Sequence, residues 1–407
     1  MVPSVAMRVL WVRESRLLPV QSGGAIRSYH QLRETSKHHA VTLVSYYRGR
    51  ERDTAYEAAL AREFPGAHTT YAGPAADHGL FPYLRSRAGR SPGNIGLHVA
   101  RDVQLLLAKW LDGSRFDVAV CDALSAAVNF PAHPRTPMVL FEHNVESVLL
   151  RRQAAFAVDI SAAWRRLLQL EAWRMERFER RVIQQAAHVI AVSPQDAALL
   201  SAMAGHDRVT PVSTGIDLET FAPRPAVRPS RPLVMYTGLM SYLPNVDAVV
   251  HFCREIWPAI INGVPDARFR IVGRSPHRLV RELASDTVEV TGMVDSVADQ
   301  LADAAVVVVP LRAGGGTRLK IYEAMAMAKP VVSTHIGAEG LDVHDGQDII
   351  LADNPTTFAA QVVRLLKDDA YRALVGNAAA GTASRFGWPV VAAEFERVLE
   401  DVVASAR

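Results

Sequence analysis

The stretch VVVVPLRAGGGTRLKIYEAMAMAKPVVST, residues 306–334, decides how the chain is read. An apolar run of strand length stops at Pro310. Gly314, Gly315 and Gly316 follow, then Thr317, then a helical pattern, and a second apolar run opens after Pro330. A short β-branched run, a glycine turn, a helix and another such run make one βαβ unit of a parallel sheet. Thr317 is a natural N-cap, so the helix is expected from about Arg318. Its N-terminus carries unpaired N–H groups and a partial positive charge. Arg318 and Lys320 in a first turn oppose that dipole at roughly 0.3–1 kcal/mol each, unless an anion lies between them. A bound diphosphate accounts for them. Glu323, one turn beyond Lys320, can accept from the vicinal hydroxyls of a ribose. The plain alternative is an exposed Lys–Glu pair worth tenths of a kcal/mol. The triple glycine, which a solvated helix does not need, favours the ligand.

Outward from this unit the same grammar repeats. Runs 7–12, 39–47, 116–122, 137–144 and 187–193 read as strands, apolar nearly end to end, with helical patterns between them such as 24–37 and 97–113. Strands covered on both faces look like this. A Pro- and Arg-rich segment, 213–232, follows, and the pattern restarts at 233–238, 267–273, 288–294, 304–311, 330–334 and 348–353. The fold class expected is α/β: two tandem, Rossmann-like, doubly wound domains with a boundary near residue 225 and a cleft between them. Residues 161–186 form a long amphipathic helix with Trp164, Leu167, Leu168, Trp173, Phe178 and Ile183 near one face. Its arginines read as a solvated face rather than a nucleic-acid site.

Composition agrees with a globular protein of two domains: 407 residues, 49% apolar, 21% charged and a net charge of +3. There is no long basic run for a nucleic acid. Cys121 and Cys253 cannot make a disulfide framework or a four-ligand metal site, which favours a reducing compartment. No segment reaches the roughly 20 apolar residues of a membrane span. A cytoplasmic location is expected, with peripheral membrane contact near Phe81, Tyr83, Arg85, Arg87 and Arg90 as one reading and a solvated loop as the other.

Ligands of open α/β sheets sit at the carboxyl ends of the strands. After the first strand, Gly23 and Gly24 open a helix with Arg27 one turn in; a donor phosphate, a glycan or a plain βα turn each fits. The fourth strand ends in Glu142, His143 and Asn144. In the second half, Gly238 ends a strand, and Pro244 and Asn245 start the helix after it. Gly273 and Arg274 follow the next strand; Gly292, Met293, Val294 and Asp295 follow the one after, with Val294 offering backbone groups to a nucleobase edge. Any one of these is an ordinary turn, but they agree on one edge.

The order VIAVS, STGIDLETF, YTG, IVG, TGMVDSV, VVPL, GGGTRLKIYEAMAMAKPVVST resembles the retaining GT-B glycosyltransferases called group 1, family 4. The segments GGGTRLK and IGAEGLDV resemble a bacterial subset associated with exopolysaccharide synthesis. The resemblance spans nearly the whole chain, and residues 386–407 look like the family's last helix, which crosses back to the first domain. It implies transfer of a sugar from a nucleotide-diphosphate donor to a saccharide or lipid-linked acceptor, with the donor on the second domain and the acceptor mostly on the first. It implies that Glu323 binds ribose, that His143 lies near the donor sugar, and that Gly23 and Gly24 lie near the donor phosphate. Two positions depart from the family. Gly315 stands where the first acid of its E-x7-E motif belongs. Leu239 and Pro244 stand where an Arg and a Lys often hold the diphosphate. Arg318 and Lys320 are the expected substitutes, with donor contacts from Gly238, Gly273, Arg274, Met293, Val294, Gly315, Gly316, Thr317 and Glu323. No metal or other cofactor is expected. A nucleotide-sugar epimerase of the same fold and a non-catalytic carbohydrate-binding relative are the alternatives, and a nicotinamide oxidoreductase lacks its glycine fingerprint.

Overall fold

The computed structural model describes residues 6–20, 22–74, 92–156, 162–224, 232–313 and 318–406. The chain divides into two compact units, one of residues up to Thr214 with Trp388 onward, the other Gly215–Gly387.

The first unit holds a seven-stranded, wholly parallel sheet in the order β3-β2-β1-β4-β5-β6-β7. The strands are β1 (Arg8–Glu14), β2 (Ala40–Tyr47), β3 (His68–Tyr71), β4 (Val118–Asp122), β5 (Met138–Glu142), β6 (His188–Ala191) and β7 (Val209–Pro211). Every residue of β4 and β5 is buried, as expected of strands covered by helices on both faces. The edge strands β3 (HTTY) and β7 (VTP) are absent from the sequence reading. Both are short and neither carries an apolar run: β3 is largely polar, and β7 has three residues and ends in a proline, which is tolerated at an edge.

The second unit holds a six-stranded parallel sheet in the order β10-β9-β8-β11-β12-β13. Its strands are β8 (Leu233–Thr237), β9 (Arg268–Val272), β10 (Val288–Gly292), β11 (Val306–Val309), β12 (Val331–Ser333) and β13 (Ile350–Leu351). In both sheets the order reverses beside the first strand, between β1 and β4 and between β8 and β11. These are the switch points at which such sheets bind ligands.

The boundary near residue 225 is corrected. The segment after Thr214 is already part of the second unit: Ile216 N–H donates to the Phe386 carbonyl at 2.8 Å, and Leu218 and Phe221 pack on that unit's core. Phe386 likewise stays with the second unit, stacked on Tyr322 at 4.6 Å. The last helix, Trp388–Ala406, belongs to the first unit, where Phe395 stacks on Trp11 at 5.5 Å and Trp388 on His30 at 4.9 Å.

The long helix runs Ala162–Gln185. Met175, Phe178, Glu179, Val182 and Ile183 are buried, but Trp173 is 52% exposed with the Arg177 guanidinium over its ring at 4.9 Å. Trp173 therefore lies off the packed face assigned to it, because Ala172, its neighbour, occupies the inward position. The expected helix 97–113 is shorter, Arg101–Leu111, preceded by a separate turn Gly93–Gly96. Phe81, Tyr83, Arg85, Arg87 and Arg90, proposed as a membrane rim, lie outside the described residues, as do Gly315, Gly316 and Thr317.

Candidate functional site

In the first unit, Ser22 caps the helix Gly23–His38 by accepting from Ala25 N–H at 3.2 Å. Gly23 and Gly24 thus occupy its first turn at the carboxyl end of β1. Arg27 is 6% exposed, and its Nε donates to Thr214 Oγ1 at 2.9 Å, so it anchors the helix from inside. Burial lowers its pKa to about 10, against the pull of Asp196 and Asp122.

Of the three polar residues 142–144, only His143 turns toward this helix. A Cβ added at Gly24 would stand 3.3 Å from His143 Nδ1. The other ring nitrogen, Nε2, lies 2.8 Å from Asp122 Oδ1, at ion-pair distance though off the ideal hydrogen-bond direction. Asp122 ends β4 and is fully buried. It accepts from Trp11 Nε1 at 2.9 Å, Ser28 Oγ at 2.9 Å and Arg13 Nη1 at 3.1 Å. Burial alone would raise its pKa; Arg13, His143 and the Trp11 N–H outweigh that and hold it well below the usual carboxylate range. Burial lowers the His143 pKa despite Asp122, so the imidazole is neutral at neutral pH. With a carboxylate at Nε2, that nitrogen carries the proton and Nδ1 is left as an acceptor beside Gly24.

Glu142 points elsewhere. It is 1% exposed, makes no well-formed hydrogen bond, and burial followed by Glu179, Glu146 and Asp196 pushes its carboxyl far up. Asn144 turns to Glu146, with Nδ2 to Oε1 at 3.4 Å.

In the second unit the strand ends are laced together: Gly238 N–H donates to Val272 O at 3.0 Å and Gly273 N–H to Gly292 O at 3.1 Å. A Cβ at Gly273 would lie 1.7 Å from the Gly238 carbonyl oxygen, so only glycine permits this approach. Lys320 arrives from the helix Leu319–Ala326, which follows β11. Its Nζ donates to Tyr236 Oη at 2.9 Å and Asn245 Oδ1 at 3.2 Å, and sits 4.1 Å from the centre of the Tyr236 ring. A Cβ at Gly238 would stand 2.8 Å from that ammonium. Burial, then the charge of Arg318, lowers the Lys320 pKa to about 7, with Glu323 opposing. Burial raises Glu323 to about 7 against the effect of Lys320.

The start of this helix is corrected by one residue. Arg318 is the N-cap, with φ −89° and ψ 78° and no capping side-chain bond, and the helix begins at Leu319. Arg318 is 8% exposed, so its cation is enclosed by protein. Arg274 and Met293 follow β9 and β10, on the far side of β8 from Lys320; Met293 is 70% exposed, and Val294 packs against the core. Reading strand ends from the sequence passed over Asp122, although it is the last residue of its strand. Tyr236 was missed because a buried aromatic inside a strand looks like core.

The sequence profile described as Glycosyltransferase Family 4 matches residues 22–220, and that described as Glycosyl transferases group 1 matches residues 231–368. The chain belongs to the group 1, family 4 glycosyltransferases. Among curated family relatives, a D-inositol 3-phosphate glycosyltransferase of Pseudarthrobacter chlorophenolicus is 30% identical over 250 residues, covering 55% of this chain and 58% of that one. A phosphatidyl-myo-inositol mannosyltransferase of Mycolicibacterium smegmatis is 29% identical over 209 residues, 49% of this chain and 53% of the other. The chain spans well under two thirds of the length of the relatives it matches. The fold match extends over nearly the whole chain. A structure of Anabaena HepE in complex with UDP and glucose superposes with a TM-score of 0.68 at 15% identity, covering 97% of this chain and 100% of that chain. The sucrose-phosphate synthase of Thermosynechococcus elongatus gives 0.71 at 17% identity, covering 98% and 100%. Both support the GT-B fold of two Rossmann-like domains.

Proposed function

We propose that this chain transfers a sugar, with retention at the anomeric carbon, from a nucleoside-diphosphate sugar to a hydroxyl of a saccharide or lipid-linked acceptor in the synthesis of a bacterial surface glycan. The observation that carries the reading is the position of the Lys320 ammonium. It reaches across the β8–β11 switch point to the loop 238–245, where Leu239 and Pro244 replace the family's usual cations. A cation supplied from the neighbouring helix restores the charge that a diphosphate needs.

The chemistry follows from that charge. Breaking the bond between the anomeric carbon and the phosphate oxygen leaves negative charge on the departing diphosphate. Lys320, Arg318 and the N–H groups opening the helix at Leu319 stabilise that charge more in the transition state than before it. Glu323 receives the ribose hydroxyls. His143, neutral and with Nδ1 as acceptor, offers a hydrogen-bond acceptor to a hydroxyl of a sugar bound at the first unit. The acceptor hydroxyl forms the new bond to the anomeric carbon, and its proton passes to the departing phosphate oxygen. Inositol- and mannose-handling relatives and a neighbour holding UDP and glucose support a nucleotide-sugar donor.

The test is a thermal-shift screen of UDP-, GDP- and ADP-sugars. A donor in large excess over its Kd raises the melting temperature by the equivalent of several kcal/mol. Transfer from that donor to a saccharide acceptor, with the product retaining configuration, completes it. No shift with any donor overturns the reading. A sugar isomerised without acceptor makes the chain an epimerase, and tight binding without turnover makes it a non-catalytic relative.

A further inference from the structure

Helix Ala162–Gln185 carries a surface that sugar transfer does not require. At 100° per residue, Arg166, Leu170, Trp173, Arg177, Arg180 and Arg181 fall within roughly 100° of one another around the helix axis. All six are exposed, Leu170 at 45% and Trp173 at 52%. From Arg166 to Arg181 the stripe is about 22 Å long, with its apolar pair toward the centre and arginines at both ends. The helix's acids lie off it. Glu171 and Glu179 are buried, and Glu176 is half-buried between Arg151 and Arg180.

A solvated helix face has no use for an exposed Trp and Leu four arginines deep in positive charge. A second copy of this chain is a poor occupant, because a two-fold contact would set arginines against arginines. A phosphate backbone would satisfy the arginines and leave Leu170 and Trp173 without a role. A helix that is cationic at its flanks, apolar at its centre and free of acids on that face matches the boundary between headgroups and acyl chains of an anionic bilayer. Tryptophan favours that depth. Among the described residues no helix is long and apolar enough to cross a membrane, so the contact is one of lying in the plane.

We propose that the outer face of helix Ala162–Gln185 docks this chain on an anionic lipid surface. The inner face of the same helix supports the candidate site: Glu179 accepts from Glu146 N–H at 2.8 Å and from Ser147 Oγ, at the first turn of the helix that follows His143. The docking helix is thereby tied to the element that follows His143. The docking does not depend on the proposed sugar transfer.

The experiment is sedimentation of the full chain with vesicles of phosphatidylcholine alone and of phosphatidylcholine mixed with phosphatidylglycerol. Binding is expected to the mixed vesicles only, weakening as salt rises. The pair Arg166→Glu with Arg177→Glu is expected to weaken it on the order of tenfold or more. Leu170→Ser with Trp173→Ser is expected to reduce it while leaving its salt dependence. Each variant should keep the wild-type donor-induced thermal shift, which shows that it folds and keeps the transfer reading separate. Three results overturn the proposal: no binding to mixed vesicles, binding unchanged in both variants, or a wild-type dimer that either variant converts to monomer. Retention on single-stranded RNA in place of vesicles, lost in the charge-reversed pair, overturns it as well.

Discussion

His143 Nε2 and Asp122 Oδ1 lie 2.8 Å apart, one at the end of β5 and the other at the end of β4. Asp122 is held on Oδ2 by Trp11 and Arg13 and on Oδ1 by Ser28, so the carboxylate cannot turn away. The imidazole is thereby fixed with Nδ1 outward. Asp122→Ala should leave Arg13 buried without its partner and cost about 3–5 kcal/mol, read from urea unfolding. Asp122→Asn fills the space and should fold better, yet it can present its amide to Nε2 and reverse the tautomer. Turnover should then fall while donor affinity holds, and histidine nitrogen chemical shifts should report the change.

Lys320 links protonation to donor binding. Its pKa is near 7 before a ligand arrives, so about half the molecules carry the charge at that pH. A diphosphate favours the cation and raises that pKa, so binding takes up a proton at and above pH 7, and affinity should fall as pH rises through that window. Calorimetry in buffers of different ionisation enthalpy measures the uptake. Lys320→Arg, charged throughout, should reduce the pH dependence to the part that Glu323 contributes. Lys320→Ala should lower turnover by roughly 10²–10³ with little loss of stability, and an unchanged turnover would count against the diphosphate role.

Two glycines in the second unit should separate stability from binding. At Gly273 a Cβ meets backbone, the Gly238 carbonyl at 1.7 Å, and the strand ends must part. Gly273→Ala should cost about 3 kcal/mol or more in unfolding. At Gly238 the Cβ meets the movable ends of Lys320 and Asn245, both at 2.8 Å. Gly238→Ala should fold nearly normally and bind donor more weakly, because it displaces the ammonium.

These residues also show what was legible in the sequence. Buried parallel strands announce themselves as continuous apolar runs, so β1, β2, β4–β6 and β8–β13 were placed from residue types alone. The edge strands β3 and β7, covered on fewer sides, have no such run. Gly23, Gly24, His143, Gly238, Gly273, Lys320 and Glu323 stand at strand ends or helix starts, where position alone suggests a ligand. Asp122, Tyr236 and the inward turn of Arg27 were not legible, because their roles come from pairing across 84 to 187 residues of chain. Such contacts exist only once the sheet order is set.

Glu179 supplies a pH test that involves no ligand. It is buried between the helix Ala162–Gln185 and the start of Glu146–Phe156, and burial raises its pKa to about 7 despite bonds from Ser147 and Glu146. A carboxyl whose pKa is higher in the folded chain than in the unfolded one contributes its full stability below the unfolded pKa. It loses that contribution as pH rises toward its folded pKa near 7. Stability measured by urea unfolding should therefore decline across that interval. Glu179→Gln keeps an acceptor for the Glu146 N–H and has no proton to lose, so the decline should shrink and the variant should exceed the wild type above pH 7. A variant with the wild-type pH profile would show that Glu179 is ionised in the folded chain and that its buried charge is met in another way.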